Sequence, residues 1–406
     1  MRNTRNIFII LALLFLITAV GGGLIWANMN FIQHTPGGEE FIVPWKAIRN
    51  FSMEGITPYG ELTTLNIQTM IYKRPLLPGQ YPYRVNLPFF MLMLFLPFGW
   101  FSDLTIARSI WMVFLEVGLI GVVLLSIRLA RWRPHWFFLV IILLFSIFWL
   151  PTVAMFLTGS SIGLQALVIF GALRALELGS DEFAGSMAAL SLLNIEATGA
   201  VFVVLVAWAF STQRWRFLGG IGMMLAVLIG ISFLLMPLWP LPFFGAAFSN
   251  LQSSALPSTY GLFVGWMPGI GKRLAQMLAV AALAIFFLEL RAVRGKNVRW
   301  LFWTVCLIAA ITPLLGISYP TGLLAFTLPG ILLVVSVMAQ RWGGFGFGGS
   351  LIVLAGLFLG LWGAQEKGYT SVFVFFYPLT LVLLLYWVRW GAVRPLRLWA
   401  DEVTQR

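Results

Sequence analysis

The chain has 406 residues, of which 60% are hydrophobic and 10% are charged, and its formal net charge is +12. A soluble domain carries roughly a quarter charged residues, so this composition excludes a soluble globular protein and indicates a polytopic integral membrane protein. We interpret the positive charge as Lys and Arg kept on the cytoplasmic side, not as a nucleic-acid surface. A single cysteine excludes a disulfide framework, and the two histidines disfavour a multi-histidine metal site.

The apolar runs predict an all-α protein of about twelve transmembrane helices. The first run, 7–27, follows two arginines and predicts an uncleaved signal-anchor helix with its N-terminus inside. The stretch 183–211 is too long for one ordinary helix, so we predict two short helices, 183–194 and 197–211, that meet at a polar break. The other predicted spans are 105–128, 135–157, 160–178, 217–237, 273–292, 300–318, 321–340, 350–365 and 370–388. The glycine-rich stretch 343–349 is predicted to be a loop.

The orientation depends on the apolar segment 87–101, which contains Pro88 and Pro97. Its length suits a re-entrant or juxtamembrane helix better than a span. Without a span there, the positive-inside rule places both termini and the basic clusters of the later loops in the cytoplasm. These clusters comprise Arg128, Arg131, Arg133, Arg214, Arg216, Arg291, Arg294, Lys296, Arg299, Arg341, Arg389, Arg394 and Arg397.

We therefore predict one integral domain, 1–406, in the plasma or inner membrane. After the first helix it has a long outer loop at 28–102 with juxtamembrane helices. Core helices and a late outer loop follow at 103–260, and C-terminal helices occupy 261–406.

The first outer loop contains two adjacent carboxylates, Glu39 and Glu40. Apolar residues recur at helical spacing from Phe41 to Met53, which predicts a helix along the outer surface with the acidic pair at its N-terminus. One interpretation of the pair is helix-end electrostatics, since acids are favoured there. The other is chemistry at the membrane surface, in which case repulsion from Glu39 is expected to raise the pKa of Glu40.

Later in this loop, basic residues alternate with tyrosines and prolines. The cations are Lys73 and Arg74, which follow Tyr72, and Arg84, which follows the segment Tyr81-Pro82-Tyr83. This pattern is typical of an aromatic belt with snorkelling arginines. It also suits a site for an anionic substrate, because Arg offers a bidentate fork to phosphate.

The order of these motifs resembles the family-87 polyprenyl-phosphate-sugar glycosyltransferases of the GT-C superfamily. The matching positions are Glu40-Phe41, Tyr81-Pro82, Gly159-Ser160, and Ala184-Gly185 leading to Asn194-Ile195-Glu196. The resemblance covers roughly residues 7–260. The family has aspartate, Tyr-Pro-Pro and Gly-Gln where this chain has Glu40, Tyr81-Pro82-Tyr83 and Gly159-Ser160.

The resemblance implies a GT-C-like fold and an inverting transferase whose site lies on the outer face. A hexose, mannose-like, would pass from a polyprenyl-phosphate sugar to a lipid or glycan acceptor, with Glu40 as the general base and no cofactor required. A divalent ion is disfavoured, because adjacent carboxylates on a helix rarely converge on one ion. The implied donor-binding residues are Glu39, Lys73, Arg74, Tyr81, Arg84, Ser160, Asn194 and Glu196, with Tyr260 and Trp266 from the late outer loop.

Two other functions stay open. A transporter or flippase for a lipid-linked substrate often shows paired internal repeats, which are not evident in this sequence. A non-catalytic relative that binds lipid or a partner protein is consistent with the altered motifs. Within any of these, Glu196 is either functional, as ionisable residues in membrane segments often are, or a structural group at a helix break. Tyr260 and Trp266 either contact sugar or cap the bundle.

Overall fold

A computed structural model describes residues 2–74, 76–77, 79–251 and 258–394, without the side chains of 2–13, 17, 247–251, 370, 371 and 373. These residues form helices, and the one β-bridge found among them joins Ser258 and Ser318. Arg397, predicted to be cytoplasmic, lies outside the described residues.

The α-helices, in chain order, are α1 (Arg2–His34), α2 (Glu39–Glu54), α3 (Glu61–Tyr72), α4 (Phe89–Leu92), α5 (Leu96–Gly99), α6 (Leu104–Leu129), α7 (Trp136–Phe148), α8 (Leu150–Thr158), α9 (Ile162–Glu177), α10 (Asp181–Leu190), α11 (Ile195–Ser211), α12 (Trp215–Leu235), α13 (Pro240–Leu251), α14 (Thr259–Trp266), α15 (Gly271–Ala292), α16 (Val298–Ile311), α17 (Leu328–Glu366) and α18 (Thr370–Val393). Short 3-10 helices cover Met93–Phe95, Ser191–Asn194, Thr312–Leu315 and Thr321–Thr327.

Eight helical segments of the described chain are long and apolar enough to cross a membrane, or nine if α7 and α8, bent by 49° relative to each other, count as one span. The prediction of an all-α polytopic membrane protein is therefore confirmed. The prediction of twelve spans is not confirmed by this measure. The twelve predicted spans include α9, which has only 16 residues. They also count two long helical runs, Asp181–Ser211 and Thr321–Glu366, as two spans each, whereas by length and composition each run is one segment.

The first of these runs, α10 with α11, is a hairpin. Its 31 residues, if laid out as one straight helix, would place Asp181 and Ser211 about 45 Å apart. Instead Arg214, just beyond α11, forms an ion pair of 2.7 Å with Asp181 at the start of α10. The chain reverses at the 3-10 turn Ser191–Asn194, where the buried Thr198 hydroxyl donates to two backbone carbonyls at 2.6 and 2.7 Å. The predicted break near Asn194 is confirmed.

The second run, α17, reverses at Gly343. This residue has φ 52° and ψ −125°, a conformation open only to glycine. The Ser350 hydroxyl consequently lies 3.3 Å from the Val335 carbonyl oxygen, although these residues would be about 22 Å apart in a straight helix. The prediction of a loop over 343–349 is wrong, because the stretch stays helical on both sides of this one residue.

The first outer loop is a packed layer of short helices. The predicted helix after the acidic pair is present as α2, but it does not simply lie along the surface. Phe41, Trp45 and Ile48 are fully or almost fully buried, because the apolar segment Phe89–Gly99 packs against the helix from the other side. The Trp45 indole N–H donates to the carbonyl of Phe98 at 3.0 Å. The segment is too short to span, as predicted.

The predicted basic clusters meet at one end of the bundle. Arg131, Arg214, Lys296 and Arg299 line a single cavity there, although they come from three separate stretches of the chain. We call this end the basic end. Arg108 and Arg131 stand near opposite ends of α6, so the first outer loop, which contacts Arg108, lies at the other end of the bundle.

We predict that Gly220→Ala destabilises the protein, because α10 and α12 touch at this position. A Cβ on Gly220 would lie 2.2 Å from the carbonyl oxygen of Glu182, and overpacking of this kind costs about 1–3 kcal/mol. Gly219→Ala is the matched control, since a Cβ there meets no atom within 4 Å. Thermal unfolding in detergent, followed by tryptophan fluorescence, measures the difference. Equal midpoints for the two variants would contradict the close contact between α10 and α12.

Candidate functional site

The N-terminus of α2 is docked on the turn between α8 and α9. The Gly38 N–H donates to the carbonyl of Leu157 at 2.7 Å. Phe41 stacks on Trp111 of α6 with ring centroids 5.4 Å apart, and the Trp111 indole donates to the carbonyl of Gly159 at 2.8 Å. A Cβ on Gly159 would lie 2.8 Å from Cβ of Phe41. This close contact brings the polar end of the turn against the acidic pair.

Glu40 faces that turn. Burial raises the pKa of its carboxyl, and the hydroxyls of Ser160 and Thr158 oppose the shift by stabilising the charged form. Repulsion from Glu39 and Glu196 raises the pKa further, so the expected effect of Glu39 is present but is smaller than that of burial. Ser160 Oγ is buried without a hydrogen bond of normal geometry. Glu40 therefore holds its proton to a higher pH than an ordinary glutamate.

Tyrosines close one side of the acidic pair. The Tyr72 hydroxyl donates to the carbonyl of Tyr81 at 2.8 Å, and the rings of Tyr81 and Tyr83 meet edge to face at 4.9 Å. Burial raises the pKa of Tyr81, with added repulsion from Glu196 and Glu40, which places this phenol near both carboxylates. Tyr81 thus remains a protonated hydrogen-bond donor at neutral pH.

Arg108, near the start of α6, is the cation that the structure brings to the acidic pair. It is 3% exposed, and one terminal nitrogen donates to the carbonyl of Leu157 at 2.9 Å. Its Nε is buried without a hydrogen-bond partner, and Glu39 is close enough to attract the guanidinium. Arg108 is not among the residues predicted for the site from the sequence. The signal was an arginine inside an apolar helix, where ionisable residues are commonly functional.

Gly37 and Gly38 make room for this guanidinium. A Cβ on Gly38 would lie 2.7 Å from Arg108 Nε, and one on Gly37 would lie 2.6 Å from the Leu157 carbonyl oxygen. Both glycines also have positive φ, 137° and 91°, which other residues rarely adopt. Glycine is therefore required at positions 37 and 38, because the backbone there passes close to the buried guanidinium of Arg108.

Glu196 reaches the site from the α10–α11 hairpin. It lies in the first turn of α11, directly after the reversal, and its charge acts on Glu40, Tyr81 and the fully buried Tyr319. Asn194 stands at the reversal itself, where its carbonyl accepts from Thr198. Glu40, Tyr81, Ser160 and Glu196, which are far apart in the sequence, are thus neighbours, and we call them with Arg108 and Glu39 the acidic cluster.

Other residues predicted for the site lie elsewhere. Lys73 and Arg74 are exposed at the end of α3, where Arg74 acts on Tyr72, and Arg84 is also exposed. In the late outer loop, Tyr260 packs near Gly316 and Trp266 packs on Phe263 and Phe376. No hydrogen bond or ring contact joins Tyr260 or Trp266 to the acidic cluster within the described residues.

The acidic cluster combines groups suited to proton transfer and to binding an anion. A carboxyl whose pKa is raised by burial is the kind of group that general acid–base catalysis uses. A buried guanidinium with an unpaired N–H suits an anionic oxygen. Among the described residues there is no group of three or more His, Cys, Asp or Glu side chains able to hold a metal ion.

Comparison of the chain with models of protein families, with curated proteins and with solved structures gives no match. Function has to be inferred from the geometry of the acidic cluster.

We predict that carbodiimide labelling of Glu40, which requires the protonated carboxyl, persists to a higher pH than is usual for glutamate. Ser160→Ala removes a hydroxyl that stabilises the charged form, so the midpoint of labelling moves up. Glu39→Gln removes a repelling charge, so the midpoint moves down. Peptide mass spectrometry after labelling at a series of pH values measures both. Ser211→Ala, at the other end of the bundle, is the control, and a midpoint that stays constant in all three variants contradicts the described surroundings of Glu40.

Proposed function

We propose that the protein is a GT-C-like membrane glycosyltransferase that transfers a hexose from a polyprenyl-phosphate donor to a lipid or glycan acceptor, with Glu40 as general base. The observation that carries the proposal is the convergence of two groups on one side of the bundle: Glu40, with its raised pKa, and the guanidinium of Arg108, whose Nε has no hydrogen-bond partner. Such a transfer needs both groups, a base for the acceptor and a cation for the leaving phosphate.

A count of twelve membrane traverses, as in the proposed fold, is supported by the two reversals. The hairpin of α10 and α11 and the reversal at Gly343 each turn one long apolar run into two antiparallel helices. With α9, and with α7 and α8 taken together, this gives the twelve traverses of the proposal. Both termini then lie at the basic end, and the positive-inside rule places that end in the cytoplasm and the acidic cluster on the outer face.

In the proposed step Glu40 takes the proton of an acceptor hydroxyl, and the freed oxygen forms a bond to the anomeric carbon of the hexose. The bond between that carbon and the phosphate oxygen breaks on the opposite face, so the configuration inverts. The polyprenyl phosphate leaves with the electron pair of the broken bond. Atoms and charge balance without a metal ion or a redox partner.

Arg108 is the residue that we assign to the leaving phosphate. Its guanidinium is already desolvated, so its attraction for developing negative charge is less screened than that of an exposed cation. Lys73, Arg74 and Arg84 stand at the solvent-exposed side of the same loop, where they can guide an anionic headgroup inward. Tyr81, held protonated, can donate a hydrogen bond to the sugar or the phosphate.

The alternative of a flippase rests on Glu196, a carboxylate within the apolar run Asp181–Ser211 whose charge acts on Glu40. Reconstitution in liposomes separates the two functions. A flippase moves labelled polyprenyl-phosphate mannose across the bilayer without forming a glycosidic bond, whereas the proposed enzyme forms the bond.

We predict that Glu40→Gln lowers the rate of hexose transfer roughly 100-fold or more, since a general base contributes about this much, while donor binding persists. The assay uses purified protein, radiolabelled polyprenyl-phosphate mannose and a membrane lipid extract as acceptor, with donor binding measured separately by thermal shift. Glu61→Gln changes an exposed acid of the same loop and is the matched control. Transfer that is unchanged in Glu40→Gln removes Glu40 from the mechanism. A wild-type protein that transfers no hexose from any polyprenyl-phosphate donor overturns the whole proposal.

We predict that Arg108→Lys slows transfer roughly 10- to 100-fold, because lysine keeps the charge but cannot present the planar fork or the free Nε. Arg74→Lys makes the same exchange at an exposed position and is expected to change the rate less than threefold or so. Steady-state rates for both variants, compared at saturating donor, measure the difference. If Arg74→Lys were the slower of the two, the cation for the leaving phosphate would have to be sought among the loop residues.

A further inference from the structure

The basic end of the bundle contains a cavity of about 430 Å³ that the proposed transferase does not use. The ends of α6, α9 and α11 and the start of α16 surround it. Its apolar lining includes Trp208 and Phe302, each 1% exposed. Its polar lining includes the cations Arg131, Arg214, Lys296 and Arg299.

The cations in and beside this cavity outnumber the carboxylates. Arg131 and Arg174 share the single carboxylate of Glu177 at 2.9 and 2.6 Å, and Arg214 pairs with Asp181 at 2.7 Å. Lys296 and Arg299 form no ion pair with any described residue. Arg299 donates only to a backbone carbonyl, that of Ala392, at 2.7 Å. Five cations thus face two carboxylates.

Cations of this set repel one another. Arg299 is repelled by Arg131 and also by Arg341, which lies outside the set, while Glu177 attracts it. A backbone hydrogen bond holds Lys296 at the cavity, since its carbonyl accepts from the indole N–H of Trp208 at 2.8 Å. The Lys296 ammonium lies 5.4 Å from the centre of the Trp300 ring. Holding like charges around a partly apolar cavity is unfavourable unless an anion joins them.

We propose that this cavity, which we call the basic cavity, binds a phosphate group, carried by an anionic phospholipid headgroup or by a soluble phosphate compound. Arg131, Lys296 and Arg299 supply the charge-assisted donors, and Arg131 can exchange part of its bond to Glu177 for a phosphate oxygen. Trp208 and Phe302 suit the carbon atoms next to the phosphate. The backbone at the start of α16, which lines the same cavity, adds a favourable dipole.

The location of the basic cavity suits a phosphate group carried by a lipid headgroup. Four helix ends converge here, at the level where the headgroups of one leaflet would lie, and basic pockets between transmembrane helices bind anionic headgroups at this level. The site stands at the opposite end of α6 from the acidic cluster, so it is separate from the proposed donor site and does not depend on the proposed function.

The test uses the full chain, purified in neutral detergent and stripped of lipid. Three probes are added in turn: dioleoyl phosphatidylglycerol, dioleoyl phosphatidylcholine and inorganic pyrophosphate. Native mass spectrometry and thermal shift measure binding to the wild type and to two double variants. Lys296→Gln with Arg299→Gln removes two charges from the basic cavity, and Arg133→Gln with Arg294→Gln removes two exposed charges that do not line it.

Saturable binding of phosphatidylglycerol but not phosphatidylcholine, weakened roughly tenfold or more only in the cavity variant, supports a lipid headgroup site. Pyrophosphate binding with the same dependence on the cavity variant supports the phosphate site with a soluble ligand. Equal binding of the two lipids without pyrophosphate binding, or equal loss in both double variants, overturns the proposal. Lys296→Gln alone, which changes an exposed side chain, replaces the double variant if that one fails to fold.

Discussion

The site depends on one backbone contact, the hydrogen bond between the Gly38 N–H and the Leu157 carbonyl. This contact fixes the first outer loop to the turn between α8 and α9, and the stacking of Phe41 on Trp111 maintains it. Because the Leu157 carbonyl also accepts from Arg108, the same atom positions the acidic pair and the buried cation. Without this docking, Glu40 would be an exposed residue at a helix end with an ordinary solvent environment.

The reversal between α10 and α11 supplies Glu196 to the acidic cluster. A break in a membrane helix is tolerated only where the backbone N–H and C=O groups that it frees find hydrogen-bond partners. At the α10–α11 reversal the partner is the hydroxyl of the fully buried Thr198, which donates to the carbonyls of Ser191 and Asn194. The satisfied turn then holds Glu196 close enough for its charge to act on Glu40. Repulsion between the two carboxylates adds to the effect of burial and favours the protonated form of Glu40.

The molecule separates its charge along the bundle. One end concentrates carboxylates and tyrosines around Arg108, and the other concentrates arginines and lysines around the basic cavity. In the proposed topology, the positive-inside rule gives this separation a direction across the membrane. A sugar-phosphate lipid at one end and a phosphate headgroup at the other would each meet the charge that it requires, since the acidic cluster still offers one desolvated guanidinium.

The sequence by itself determined the membrane class, most of the helical segments and the break near Asn194, because apolar length and the placement of costly charges are local properties. The choice of Glu40 over the other acids stays a prediction. The sequence-based prediction failed at 343–349. The glycines suggested a loop there, but all residues of the stretch except Gly343 are helical. Only the tertiary structure decided that Arg108, in place of the exposed Lys73, Arg74 and Arg84, meets the acidic pair. Burial, and the partners that a buried charge finds, are set by contacts between residues distant in the chain, which no local pattern encodes.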